Sequence, residues 1–132
     1  KISGLNCWWP VLNDLCKSAK KNKKIIINSD GSPLRDFISL NDITKFIIIL
    51  IKKNLQQKII NLCSSETISI KELALKIHKN FYFKKKIPII FKKKPTEIKK
   101  KRFRYCNKIM LKHGFKKTDT FENQIANFLS KI

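Results

Sequence analysis

Few residues in this 132-residue chain have a type and spacing that could do chemistry. Arg35 is the first. Only three arginines occur (Arg35, Arg102, Arg104) beside 27 lysines, and a guanidinium fork suits the paired oxygens of a phosphate or carboxylate. Tyr82 and Lys86 stand four apart, a spacing at which a lysine can serve a catalytic tyrosine. That pair lies in Phe-Tyr-Phe-Lys-Lys-Lys, past the end of a helix, in a chain where about one residue in five is Lys. It reads as chance. His78 sits beside the apolar face of its helix, and His113 sits at a helix C-terminus as a dipole-favoured surface histidine. No Ser/His/Asp or Cys/His arrangement forms around them. Cys7, Cys16, Cys63 and Cys106 are scattered without a CxxC pair, so no metal-ligand set can be drawn, and free thiols in a reducing cytoplasm are expected. Gly4, Gly31 and Gly114 are too far apart for a phosphate-cradling loop. Trp8 and Trp9, at the start of a helix, read as core or interface.

The elements that must position these residues alternate between helix and strand, an α/β pattern. Pro10 to Lys21 is helical, with Pro10 in the first turn and Val11, Leu12, Leu15 and Ala19 on one face. A basic connector, Lys20 to Lys24, leads to a buried-type strand, Ile25 to Ile27. Asn28 to Pro33 is a cluster of turn residues, and Arg35 to Leu40 is extended, with Phe37 and Ile38 as core contacts. Asn41 or Asp42 is expected to cap the next helix, whose apolar face is Ile43, Phe46, Ile47, Leu50 and Ile51. Ile59 to Cys63 reads as a strand, followed by a polar turn, Ser64-Ser65-Glu66. Ser69 and Glu72 have the spacing of a capping box, ahead of a helix burying Ile70, Leu73, Ala74 and Ile77. Ile87 to Phe91 is a strand with Pro88 inside it, which places it at an edge. Lys92 to Arg104 is a basic loop. Asn107 to His113 is a short helix ended by Gly114. Asp119 and Glu122 suggest a second capping box before a helix that buries Phe121, Ile125, Phe128 and Leu129.

Composition narrows the classes of function. Hydrophobic residues make up 42% of the chain, so a packed core is expected rather than disorder. The longest apolar run, Phe46 to Ile51, falls far short of the ~20 residues a membrane span needs, and no membrane partner is expected. The chain opens at Lys1 on an apolar stretch with no charged n-region, so no signal peptide is expected. The net charge of +21 suggests a polyanionic partner. Its make-up argues otherwise: 27 Lys, 22 Ile and 11 Asn fill 60 of 132 positions. Nucleic-acid readers favour Arg. Lysine with isoleucine and asparagine reads instead as a bias toward A/T-rich codons, acting on every surface position.

One segment carries more information: Asp30-Gly31-Ser32-Pro33-Leu34-Arg35-Asp36-Phe37-Ile38-Ser39-Leu40-Asn41-Asp42-Ile43. It resembles the R-D-[FY]-[IV] signature of the NAD-dependent epimerase/dehydratase family, the extended short-chain dehydrogenases, although the Gly-x-Gly that opens the family pattern is matched only in part. The continuation is similar too. Ile59-Ile60-Asn61-Leu62-Cys63-Ser64-Ser65 and Ser69-Ile70-Lys71-Glu72-Leu73-Ala74 follow in the family's order. Lys94-Pro95-Thr96-Glu97, Cys106-Asn107-Lys108 and His113-Gly114-Phe115 come next, so the likeness covers roughly residues 28 to 130.

The resemblance implies an α/β fold, the C-terminal substrate-binding portion of a Rossmann-type enzyme, with residues 1–132 as a single domain. It implies that the NAD-binding half, which carries the catalytic Tyr and Lys and binds NAD or NADP, lies N-terminal and is absent here. The whole enzyme would be cytoplasmic and act on a nucleotide sugar. The family dimerises through helices of that N-terminal half, which leaves a homodimer open for the full-length enzyme. The fragment alone is expected to be inactive. By position, Arg35 would bind the substrate diphosphate. Lys94 would replace a second diphosphate arginine without its bidentate geometry. Asn61 would hydrogen-bond substrate or order its own turn, and Asp42 reads as a helix cap rather than a ligand. Asn6 to Trp9 match the nucleotide pocket loosely. The rival reading is a small lysine-rich nucleic-acid-binding domain, with Phe81, Tyr82, Phe83, Phe91, Phe103 and Tyr105 among the lysines.

Overall fold

The computed structural model describes residues 10–55, 59–81, 87–94 and 103–132. Asn6 to Trp9, the Tyr82–Lys86 pair and Pro95-Thr96-Glu97 lie outside the described residues, as do the readings made on them.

Helix α1 (Val11–Asn22) opens after Pro10. At φ −50° and ψ 130°, Pro10 is the cap residue rather than the first helical one, and its carbonyl accepts from the Asn13 and Asp14 amides at 2.8 and 3.2 Å. The helix takes up most of the expected basic connector and ends where Lys23 turns left-handed, at φ 53°. It buries Leu15, Cys16 and Ala19. Strand β1 (Ile25–Ile27) follows, then β2 (Leu34–Asp36), α2 (Leu40–Lys53), β3 (Thr67–Ser69) and α3 (Ile70–Phe81). The capping box forms as spaced: the Ser69 amide donates to Glu72 Oε2 at 2.7 Å and the Glu72 amide to Ser69 Oγ at 3.1 Å. Strand β4 (Ile89–Phe91), α4 (Lys108–Lys112) and α5 (Phe121–Lys131) complete the order.

Two small sheets result. Strands β1 and β4 pair in parallel, Ile25 against Ile89 and Ile27 against Phe91. Pro88 precedes the ladder and offers only its carbonyl, which accepts from Ile25 N at 2.9 Å. Strands β2 and β3 pair antiparallel, Arg35 opposite Ile68. The larger core joins Leu15, Cys16 and Ala19 of α1 to Ile25 and Ile27 of β1, Leu73, Ala74 and Ile77 of α3 and Ile125 of α5. Each fully buried Leu or Ile there contributes about 1.5–3 kcal/mol. Phe37 and Phe121 close its edge with rings 5.2 Å apart. A smaller core holds Phe46, Met110 and Phe115, with Ile38, Leu50, Ile60 and Leu62 against it.

The structure departs from the sequence pattern mostly around α2. Ser39 is the cap, not Asn41 or Asp42; its Oγ accepts from Asp42 N at 3.0 Å. The buried face is Asp42 and Phe46, while Ile47 and Ile51 are exposed, Ile51 at 74%. Six consecutive apolar residues give a helix apolar positions on every side, so periodicity cannot choose which side turns inward. Ile59 to Cys63 is not a strand and pairs with no strand among the described residues. The second capping box is replaced by Thr120, whose Oγ1 accepts from Asn123 N, because Glu122 is drawn away into an ion pair with Lys76. His113 is half-buried rather than a free surface group. Its carbonyl accepts from Lys53 Nζ at 3.0 Å.

Asp42 fixes α2 in place. It is 1% exposed, and its Oδ1 accepts from both the amide and the hydroxyl of Thr118, at 3.1 and 2.7 Å. Burial alone would raise its carboxyl, but hydrogen bonds from Thr118, Ser39 and Asp119 outweigh that and hold it below the usual range. A carboxyl lowered in the folded state adds stability above its unfolded value, about 4. That contribution is lost as pH falls through the folded value. Asp42→Asn is expected to lose about 2 kcal/mol at neutral pH. It should also flatten the decline of the urea midpoint below about pH 5, measured by circular dichroism.

Candidate functional site

Strand β2 sets the geometry. Side chains alternate along a strand, so Arg35 and Phe37 take one face and Asp36 and Ile38 the other. Phe37 packs on the larger core and Ile38 on the smaller.

On the Arg35 side lies a cleft of about 310 Å³. Val11, Asp14 and Leu15 of α1 form one wall; Ile27, Asn28, Ser29, Pro33 and Arg35 form the other. Asn28 and Ser29 leave the carboxyl end of β1. Because β1 and β4 are parallel, Lys92 to Lys94 leave the same end of that sheet, and the Lys92 amide donates to Ile27 O at 2.9 Å. In parallel α/β sheets this end is where ligands bind. Lys94 is exposed there. Arg35 is exposed as well, and among the described residues its Nη1 donates only to the neighbouring Leu34 carbonyl, at 2.8 Å. It makes no ion pair with Asp36, whose Oδ1 is taken by the Ser64 amide at 2.8 Å. The guanidinium therefore keeps most of its donors for a ligand.

The turn beneath the cleft is built tightly. Asp30 Oδ1 accepts from the Ser32 amide and hydroxyl, at 3.1 and 2.9 Å, and the Gly31 carbonyl accepts from Lys71 N at 2.9 Å. Gly31 holds φ +82°, and a Cβ there would lie 2.7 Å from the Phe91 ring. This single glycine cannot serve as a dinucleotide turn, since it links two strands rather than a strand and a helix. The Gly31 turn is therefore no dinucleotide-binding turn.

Asn61 stands apart from Arg35. It lines a recess of about 240 Å³ on the other face of β2, with Asp36, Ile38, Leu62, Cys63 and Tyr105. The strand thus separates two of the expected substrate residues; the two hollows add Asp14 and Asp36, which the sequence reading did not single out for a site, and Tyr105, which it placed only among the aromatics of the nucleic-acid reading. The alternation of Arg35 with Asp36 was the available signal. Burial, then the nearby Asp36 carboxylate, push the Cys63 thiol up, and burial pushes Cys16 up to about 12. Both are therefore poor nucleophiles. A larger hollow, about 400 Å³, lies between Ile68 of β3 and the start of α5. Its lysines are already held, Lys117 by Glu66 at 2.8 Å and Lys76 by Glu122, so the Arg35 cleft is the better anion site. Among the described residues no group of His, Cys, Asp and Glu could hold a metal, and no helix is long and apolar enough to cross a membrane.

No protein-family model matches the chain, and no curated protein sequence matches it. Solved structures do. An NAD-dependent NDP-hexosamine 5,6-dehydratase involved in tunicamycin biosynthesis matches 92% of this chain and 38% of its own, with a TM-score of 0.74 at 17% identity. The chain shares its fold with part of this dehydratase. The UDP-glucose 4-epimerase of Thermus thermophilus, solved with NAD, matches 91% of this chain and 39% of its own (TM-score 0.71, 14% identity). The UDP-N-acetylglucosamine 4-epimerase of Methanobrevibacter ruminantium, solved with UDP-N-acetylmuramic acid, matches 95% and 40% (TM-score 0.70, 22% identity). The chain spans about two fifths of the length of these structures.

Two substitutions separate scaffold from site. Gly31→Ala is expected to destabilise the protein by about 1–3 kcal/mol in urea unfolding, through positive φ and the Phe91 contact. Arg35→Ala should change stability by less than about 0.5 kcal/mol, as for an exposed residue outside the packing.

Proposed function

We propose that this chain is the C-terminal, substrate-binding portion of an NAD- or NADP-dependent sugar-nucleotide epimerase, dehydratase or related reductase of the cytoplasm. The observation that carries the reading is an exposed arginine, free of carboxylate partners among the described residues, beside a cleft at the carboxyl end of a parallel strand pair, within a fold shared with such enzymes. In this reading Arg35 holds the substrate diphosphate by paired hydrogen bonds. Lys94 adds a point charge from the end of β4, and Asn61 contributes from the other side of β2. Cofactor and catalytic Tyr and Lys belong to a part of the enzyme N-terminal to this chain, so residues 1–132 alone turn over no substrate. Free thiols at Cys16, Cys63 and Cys106 suit a reducing compartment.

Calorimetric titration with UDP-, GDP- and ADP-sugars tests this. At least one should bind. Arg35→Ala should weaken it tenfold or more, the scale of a lost charge-assisted bond. Arg35→Lys should lose less, and Lys94→Ala less again. Failure of every nucleotide sugar to bind would sink the proposal. So would tight binding to single-stranded RNA with a steep dependence on salt, which is what the lysine-rich alternative demands.

A further inference from the structure

Two thiols that the diphosphate reading leaves unused meet on the far side of β2. Cys63 is buried and Cys106 is exposed, and both are free. Their segments lie side by side. Thr67 Oγ1 donates to the Phe103 carbonyl at 2.6 Å, and Cys63 and Tyr105 line one recess. Going from 67 down to 63 on one segment therefore runs from 103 up to 105 on the other. The two segments pass in opposite directions, and that order sets Cys106 against the 63–64 stretch. After burial and the Asp36 carboxylate, Cys106 itself helps to push the Cys63 thiol up, an effect that requires near neighbours. A disulfide needs Cα atoms about 4.4–6.8 Å apart, the spacing of chain segments lying side by side. Little holds the Cys63 thiol where it is: its Sγ donates to the Asn61 carbonyl at 3.9 Å, and a thiol is a weak donor. Cys16, by contrast, is enclosed in the larger core.

We propose that Cys63 and Cys106 form a reversible disulfide under oxidising conditions, fastening the 103–106 segment to the 61–66 turn. The oxidant is a small disulfide such as oxidised glutathione. The exposed Cys106 thiolate attacks it, forming a Cys106–glutathione disulfide and expelling one glutathione thiolate. The Cys63 thiolate then attacks the Cys106 sulfur and expels the second. The protein gives up two electrons and two thiol protons, and the small disulfide becomes two glutathione thiols. Burial keeps Cys63 largely protonated and slows the second step, so the bond answers sustained oxidation rather than serving fast exchange. The turn it fastens is the one that holds Asp36 through the Ser64 amide. The bond therefore stiffens the support of β2 and of Arg35, and it forms whether or not the chain binds a nucleotide sugar.

The test is oxidation of the reduced 132-residue protein with oxidised glutathione, followed by alkylation and mass spectrometry of the intact chain and of its peptides. The protein should lose two hydrogens, and one peptide pair should join Cys63 to Cys106. The bond should form roughly tenfold or more faster in the folded protein than in urea, because the fold holds the two thiols together. The oxidised protein should unfold at a higher urea concentration, and dithiothreitol should reverse the shift. Cys63→Ser should stop at a glutathione adduct on Cys106, and Cys106→Ser should form no internal bond, while Cys16→Ser oxidises like the parent. Peptide mapping of the unsubstituted protein decides the matter even if Cys63→Ser fails to fold. A glutathione adduct on Cys106 with no internal bond overturns the proposal. So does a bond to Cys7 or Cys16 in place of the expected pair, or a bond that forms only in urea.

Discussion

One hydrogen bond, from the Ser64 amide to Asp36 Oδ1, ties one face of β2 to the body of the fold and leaves Arg35 on the other. Strand β2 is three residues long, too short for pairing with β3 alone to fix its roll. Asp36 anchors one face to the 61–66 turn. Alternation then sends Arg35 to the opposite face and out toward the carboxyl end of β1. Were the strand rolled over, the guanidinium would point into the smaller core and the carboxylate into the cleft. The cleft, which Asp14 already lines, would then gain a second carboxylate and lose its guanidinium. The same bond brings Asn61 and Cys63 next to Asp36, so both sides of the candidate site depend on it.

The acidic residues show a wider pattern. In a chain of net +21, carboxylates are scarce, and those described are mostly engaged. Asp36 holds Ser64, and Asp42 holds Thr118. Asp30 closes its turn on Ser32, and Glu72 closes the capping box. Glu66 and Glu122 each take a lysine. These last pairs are largely exposed and add little stability. The buried or backbone-directed carboxylates matter more, because each satisfies amides that the fold would otherwise leave without acceptors. The lysines outnumber any partner in the chain and coat its surface.

Where a local signal sufficed, the sequence was legible. Ser69 and Glu72 predicted their reciprocal bonds, and the buried positions of α3 matched the spacing residue for residue. Arg35 was marked by its rarity and by the R-D-F-I segment. Legibility ended where the deciding partner was distant in sequence. Thr118, seventy-six residues away, makes Asp42 a clamp rather than a cap. Lys76 draws Glu122 out of a box that the spacing favours. Ile59 to Cys63 has strand composition, but composition cannot supply a pairing partner. The separation of Arg35 from Asn61 was hidden for the same reason: motif order does not say which side of a strand a neighbouring turn approaches.

Helix α2 carries isoleucine or leucine around most of its circumference, so its oily surface has almost no rotational preference. Its angle about its own axis is instead keyed at one end, by the Ser39 cap and by Asp42 gripping Thr118. A helix keyed by polar contacts can exchange apolar residues among its faces and keep the same pose. Mutational pressure toward isoleucine codons can then rewrite its sides without turning it. The fold is shared with its structural counterparts at 14–22% identity.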